Sequence, residues 1–209
     1  MIRQVVLIGA APETAHSVAE RLRPALARCP GVRHSHVGVD LTGSWGSLGL
    51  TWDALLSNDA PPVSAQLQGL DTGTVDAVRF RPLRRAIPEP GIRGGIKRTL
   101  LLRVKPDSPA SVVEHFERDL IAMPAHIPAI RNWSLSRIDA GLQASTWTHV
   151  WEQEYRTAEG LLQDYQGSPY HWGWVERWFD PEVPGHIVGI ALAHLFKAAE
   201  SSILAWDEK

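Results

Sequence analysis

Hydrophobic and polar positions alternate along this chain in one order, and the order occurs twice. Residues 2–8 are an apolar run rich in β-branched residues, read as a strand. Pro12 and Glu13 open a helix to about Arg28, with Val18, Leu22 and Leu26 spaced by four, and Cys29-Pro-Gly ends it. Strands are expected over 32–41 and 48–57, separated by the turn-rich Thr42-Gly-Ser-Trp-Gly-Ser. A short helix over 64–70 and a strand over 75–83 complete the first set, and the Pro, Gly and Arg of 84–95 read as a linker. A strand then spans 96–105, with Leu100, Leu102 and Val104 on one face. Ser108 and Pro109 start a helix that Met123-Pro-Ala-His-Ile-Pro ends. Strands follow at 130–139 and 146–155, with a turn at Ala140-Gly141; the second sets Trp147, His149, Trp151 and Tyr155 on one side. A strand is expected over 186–196, and the pattern leaves the tail from Glu200, with Ile203–Trp206 as a candidate edge strand, undecided.

Strand, helix, strand, strand, helix, strand, taken twice, predicts an α+β protein: two ferredoxin-like β-α-β-β-α-β units. Each such sheet has helices on one face and an apolar bare face on the other. Packing those bare faces together makes an intrachain α/β barrel and protects strand edges. The expected units are 1–92, a structural N-terminal half, and 93–209, which carries the site.

Between the last helix-like segments lies 161–178, LLQDYQGSPYHWGWVERW. Ser168 and Pro169 read as a helix start, and Gly167 as a left-handed end to the helix before it. Tyr165 is then expected to close one helix and His171 to stand in the first turn of the next. Trp174, Val175 and Trp178 follow His171 at helical spacing, on one face with it. One reading is a core helix that tolerates a His; the other is an ionisable ring set in an apolar wall.

Composition narrows the function. The 209 residues carry a net charge of −2, so no basic field calls for nucleic acid. No apolar run of about 20 residues suggests a membrane span, the N-terminus lacks signal-peptide features, and a cytoplasmic protein is expected. Cys29 is the single cysteine, which excludes a disulfide framework or a cysteine metal site. Of nine tryptophans, six lie between Trp133 and Trp178, suggesting a heavy core or a pocket for a flat ligand. His34 and His36 could face a metal from one strand, but no carboxylate pattern supports them. Arg81, Arg84 and Arg85 read as a solvated run.

The second half resembles the stress-responsive A/B-barrel (Dabb) proteins of the dimeric α/β-barrel superfamily. The resemblance rests on Ile96-Lys-Arg-Thr-Leu-Leu-Leu-Arg-Val-Lys, Met123-Pro-Ala-His-Ile-Pro-Ala-Ile, Trp147-Thr-His-Val and Asp164-Tyr-Gln-Gly-Ser-Pro-Tyr-His. The family run Y-x-x-H-P-x-H stands here as Tyr165-Gln-Gly-Ser-Pro-Tyr-His171, with Ser168 in place of the first His. A plant polyketide cyclase of the family uses a Tyr and a His as an acid–base pair without metal or organic cofactor. By resemblance those roles fall on Tyr165 and His171, a third-strand His on His149, and a first-strand His on Arg98, which is a departure.

The resemblance implies a cofactor-independent lyase, cyclase or isomerase acting on an aromatic or polyketide-like carbonyl or phenol. His149, Trp151, Trp147, Trp174, Leu100 and Leu102 are expected around a small apolar or aromatic ligand, with no metal. The alternatives are a non-catalytic stress-responsive ligand-binding protein and a cofactor-free monooxygenase of the same superfamily. The first half lacks the pair, so it is expected to fill the partner's place as an intrachain pseudo-dimer, with room for a further homodimer.

Overall fold

The computed structural model describes residues 2–139 and 141–206. Its eight strands are β1 (Ile2–Gly9), β2 (Val32–Val39), β3 (Gly49–Leu56), β4 (Val75–Ala86), β5 (Arg93–Val104), β6 (Asn132–Ile138), β7 (His149–Tyr155) and β8 (Val188–Ser201). They form one antiparallel sheet in the order β2-β3-β1-β4-β6-β7-β5-β8. The sheet curls until its two edges meet. Leu41 N donates to Phe196 O at 2.8 Å, and Trp45 and His194 exchange both backbone hydrogen bonds. The result is the nearly closed barrel expected from the doubled pattern, with both potential edges covered.

Helices lie outside it: α1 (Ala15–Ala27) and the single turn α2 (Val63–Gln66) in the first half, α3 (Ala110–His126) in the second. Two π-helical segments, Gly160–Tyr165 and His171–Val175, and a 3₁₀ turn, Glu176–Trp178, take the place of the last helix. Among the described residues no helix is long and apolar enough to cross a membrane.

Strand alternation sorts side chains into three compartments. Val6, Ile8, Trp52 and Leu56 face α1, packing on Leu22 and Leu26. Leu100, Leu102, Leu135 and Trp151 face α3 and the π-helical segments, packing on Phe116 and Leu120. Between the halves, Val5, Leu7, Val78, Phe80, Leu101, Val150 and Leu195 form an apolar plug. Beside the plug lies an ionic layer. Lys97 contacts Asp53 at 2.5 Å and Glu152 at 2.7 Å, Lys197 contacts Asp53, and Arg3 lies 3.4 Å from Glu152. Burial opposes the Asp53 charge, yet the two lysines hold its carboxyl far below the usual range.

Several details depart from the sequence reading. Arg84 to Ala86 pair with β6 past a bulge at Pro82/Arg84, and β5 begins at Arg93, so the linker shrinks to 87–92. Cross-strand hydrogen bonds there override a turn-like composition. β8 runs five residues beyond Phe196 because β5 supplies partners as far as Arg93↔Ser201. Ile203 to Ala205 then turn inward instead of forming an edge strand. They are buried, with the Ile203 and Leu204 N–H groups donating to Glu154 Oε1 at 2.6 and 3.0 Å. Ala140 of the expected Ala140-Gly141 turn lies outside the described residues, and the Gly141 N–H donates to Asp139 Oδ1 at 2.8 Å.

Candidate active site

Tyr165 is the last residue of the first π-helical segment and His171 the first of the second. Between them the Gly167 N–H donates to Gln163 O at 2.6 Å and the Ser168 N–H to Tyr165 O at 3.2 Å. Gly167 is not left-handed, contrary to expectation. Glycine is needed there for closeness: a Cβ would sit 2.7 Å from the Gln163 carbonyl oxygen. Asp119 of α3 holds the far end of the bend. Its carboxylate accepts from Arg177 Nη2 and Trp178 Nε1, each at 2.8 Å, and its carbonyl accepts from the Tyr170 hydroxyl at 3.2 Å.

The bend closes a cavity of about 160 Å³ against the outer face of β5, β7 and β8. Tyr165 and His171 line it with ring centroids 4.4 Å apart. Leu100 and Trp151 line its wall. The other four expected contacts lie elsewhere. His149 is a buried structural residue, with Nε2 3.0 Å from Glu117 Oε1 and Nδ1 2.9 Å from Thr148 Oγ1. Trp147 precedes β7 and packs against the plug at the barrel end, its indole donating to Asp76 at 2.7 Å. Leu102 is fully buried core. Trp174 is half exposed, beneath Arg177 and beside Tyr170. A π turn carries more residues than an α turn, so the third residue after His171 swings outward while the fourth, Val175, stays over the cavity.

Three polar residues here are not among the expected contacts, although the resemblance aligns one of them, Arg98, with a first-strand His of the cyclase. Arg98 of β5 is almost fully buried, and its Nε donates to His194 Nε2 at 2.6 Å and its Nη1 to Gln153 Oε1 at 2.7 Å. Its Cζ lies 4.8 Å from the centre of the Tyr165 ring, a cation–π contact. His194 enters from β8, and Glu176 from the 3₁₀ turn, its Oε2 3.6 Å from His171 Nε2. A period of two could have found Arg98 and His194: each stands two residues before an apolar residue of the same face, Leu100 and Phe196.

Electrostatically the cavity favours neutral imidazoles. Burial, helped by the Arg98 charge, lowers the His171 pKa to about 4 and that of His194 to about 2. Burial raises the Tyr165 phenol, with Arg98 opposing, and raises the Glu176 carboxyl, again with Arg98 opposing. His171 Nδ1 is buried and has no hydrogen-bond partner, as is Trp151 Nε1. The cavity thus holds a neutral base with a free nitrogen, a phenol donor and a fixed cation. His34 and His36 form no comparable site. His34 stacks on Trp206 and His36 is half-buried, and the described residues hold no cluster of three metal-ligating side chains.

The family model described as Stress responsive A/B Barrel Domain matches residues 96–188. No curated protein matches the chain. Among solved structures, an anthrone oxidase-like protein is 12% identical, over 94% of this chain and 90% of its own, with a TM-score of 0.66. A candidate monooxygenase from Lactobacillus acidophilus NCFM is 10% identical over 96% and 97%, with a TM-score of 0.55. A major regulator of staphylococcal pathogenesis is 9% identical over 96% and 99%, with a TM-score of 0.51. At these identities the likeness is one of fold, which serves unrelated functions.

Proposed function

With residues 96–188 belonging to the stress responsive A/B barrel family, we propose that this chain is a cofactor-independent acid–base enzyme, a lyase, cyclase or isomerase. The observation that carries the reading is His171, kept neutral with an unpaired ring nitrogen in a cavity it shares with the Tyr165 phenol. A neutral imidazole accepts a proton from carbon next to a carbonyl, while a phenol donates a hydrogen bond to the oxygen on which charge develops. The resulting imidazolium returns the proton to a different atom, or to a leaving group. Glu176, 3.6 Å from Nε2, is near enough to orient the ring once a ligand draws the site together.

Size limits the substrate. A cavity of about 150 Å³ holds one benzene ring, and this one, at about 160 Å³, receives a single ring of an aromatic or polyketide-like carbonyl or phenol. The N-terminal unit, 1–92, has no matching pair and acts as the partner that closes the barrel.

Acetophenone, one ring with an exchangeable methyl beside its carbonyl, tests the base directly. Proton NMR in D₂O should show wild-type protein accelerating loss of the methyl signal. His171→Ala should lower that rate by about 10²–10⁴. Tyr165→Phe should lower it with the melting temperature nearly kept. An undiminished rate in His171→Ala rejects the acid–base reading. The fold likeness to an anthrone oxidase-like protein and a candidate monooxygenase favours a second reading, in which the same base prepares a carbanion or phenolate for attack on O₂. Oxygen consumption with a phenol substrate, lost under argon, would select it.

A further inference from the structure

Every buried cation of this protein must be compensated, because an isolated charge is costly away from water. Lys97 and Lys197 meet Asp53, and Arg3 meets Glu152. Arg79, buried without a carboxylate, spends its donors on four carbonyl oxygens, those of Gln4, Ala60, Pro61 and Gln66. Arg98 has neither solution. Only about 3% exposed, it gives one hydrogen bond to His194 and one to Gln153, both neutral acceptors. A guanidinium has five N–H donors, so three remain, including both on Nη2. Among the described residues no carboxylate makes an ion pair with it within 4.0 Å. Glu176, the carboxylate on the cavity wall, is drawn by the Arg98 charge but makes its contact with His171, at 3.6 Å.

These spare donors belong to a residue that lines the cavity, and the indole N–H of Trp151 on the same wall is buried without a partner. His194 accepts from Arg98 through Nε2, so that nitrogen carries a lone pair and the ring adds no second charge. The guanidinium is therefore held from behind by two neutral acceptors and from one face by the Tyr165 ring. A planar fork with free N–H groups matches a delocalised oxyanion, best a carboxylate.

We infer that the ligand of this cavity is a ring-sized organic anion whose carboxylate binds Arg98, so that its reactive carbon lies beside His171 and Tyr165. The assignment rests on the cavity being the reaction site, and it adds the class of substrate. A neutral arene or ketone would leave the buried cation unmatched. An anionic one replaces the missing counter-charge and consumes the idle donors.

Benzoate and benzamide test it, being close in shape and different in charge. Ligand-observed NMR titration of the wild-type protein at neutral pH should show benzoate binding about tenfold or more tighter than benzamide. Arg98→Gln should abolish that preference, and Arg98→Lys should retain part of it. His171→Ala should keep it. Equal or weaker binding of benzoate by wild type, or no binding at millimolar concentration, overturns the inference, as does a preference that survives Arg98→Gln. The wild-type comparison decides even if the Arg98 variants do not fold. Acetophenone exchange is read separately. A lost benzoate preference with His171-dependent exchange intact defeats this inference alone, and the reverse result defeats only the acid–base reading.

Discussion

His171 differs from an ordinary histidine through its surroundings, and that difference has a measurable sign. Its pKa is lowered to about 4 by burial and by Arg98, and that of His36 to about 4 by burial and then by Lys197. Between about 4 and the unfolded value of about 6.5, the unfolded chain binds protons that the folded one refuses. Stability must therefore rise with pH across that window and be lost as pH falls through it. Urea denaturation from pH 7 to pH 4 should show the decline, and His171→Asn should make it shallower while His36 and His194 keep the rest. The same shift sets the rate profile. As a general base His171 works when neutral, so acetophenone exchange should stay level from pH 7 down to about 5 and fall near 4. A midpoint near 6.5 would contradict the burial of His171.

At the scale of elements, the bend at 165–171 closes the cavity that makes the proposed site. Two π-helical segments flank it, and such segments are rare and recur at functional positions. Gly167 lets the chain pass within reach of the Gln163 carbonyl. In Gly167→Ala the new methyl would meet backbone, 2.7 Å from Gln163 O, which cannot rotate away. The expected cost is about 1–3 kcal/mol, read as a lower melting temperature. Exchange activity per folded molecule should fall with it, because Tyr165 and His171 lie on opposite sides of the residue. Unchanged melting would mean that the bend relaxes freely.

Across the whole molecule, charge joins the two halves. Asp53 of β3 meets Lys97 of β5 and Lys197 of β8, while Glu152 of β7 meets Lys97 and Arg3 of β1. These pairs stand beside an apolar plug, so the two halves of the curled sheet face each other over a half-polar interior. Lys97→Met removes the cation shared by both carboxylates. Asp53 keeps Lys197 and Glu152 keeps Arg3, so the loss is that of one shared, hydrogen-bonded cation, about 1–3 kcal/mol, and the urea midpoint should drop accordingly. Asp53→Asn should cost more, about 3–5 kcal/mol, because Lys197 is then buried without a carboxylate partner. A single variant as stable as wild type would show the ionic layer to be dispensable.

Local pattern determined much of this. Period two in Leu100, Leu102 and Val104 and the spacing of Val18, Leu22 and Leu26 are properties of short segments, so strands, helices and their doubled order were readable before folding. The Y-x-x-S-P-x-H run likewise marked Tyr165 and His171, because a helix start at Ser168-Pro169 is written in local chemistry. Contacts between distant segments decided the rest. β4 and β8 lengthened because β6 and β5 offered partners. Trp174 left the pocket because its segment is wound as a π turn rather than an α-helix. His149 left it because Glu117, 32 positions earlier, came within 3.0 Å. Arg98 joined the site through His194, 96 positions later, and Gln153, 55 positions later. Sequence periodicity could place Arg98 on the right face. Only the closing of the barrel and its cover could leave that guanidinium buried with donors to spare, because burial and pairing belong to the assembled fold.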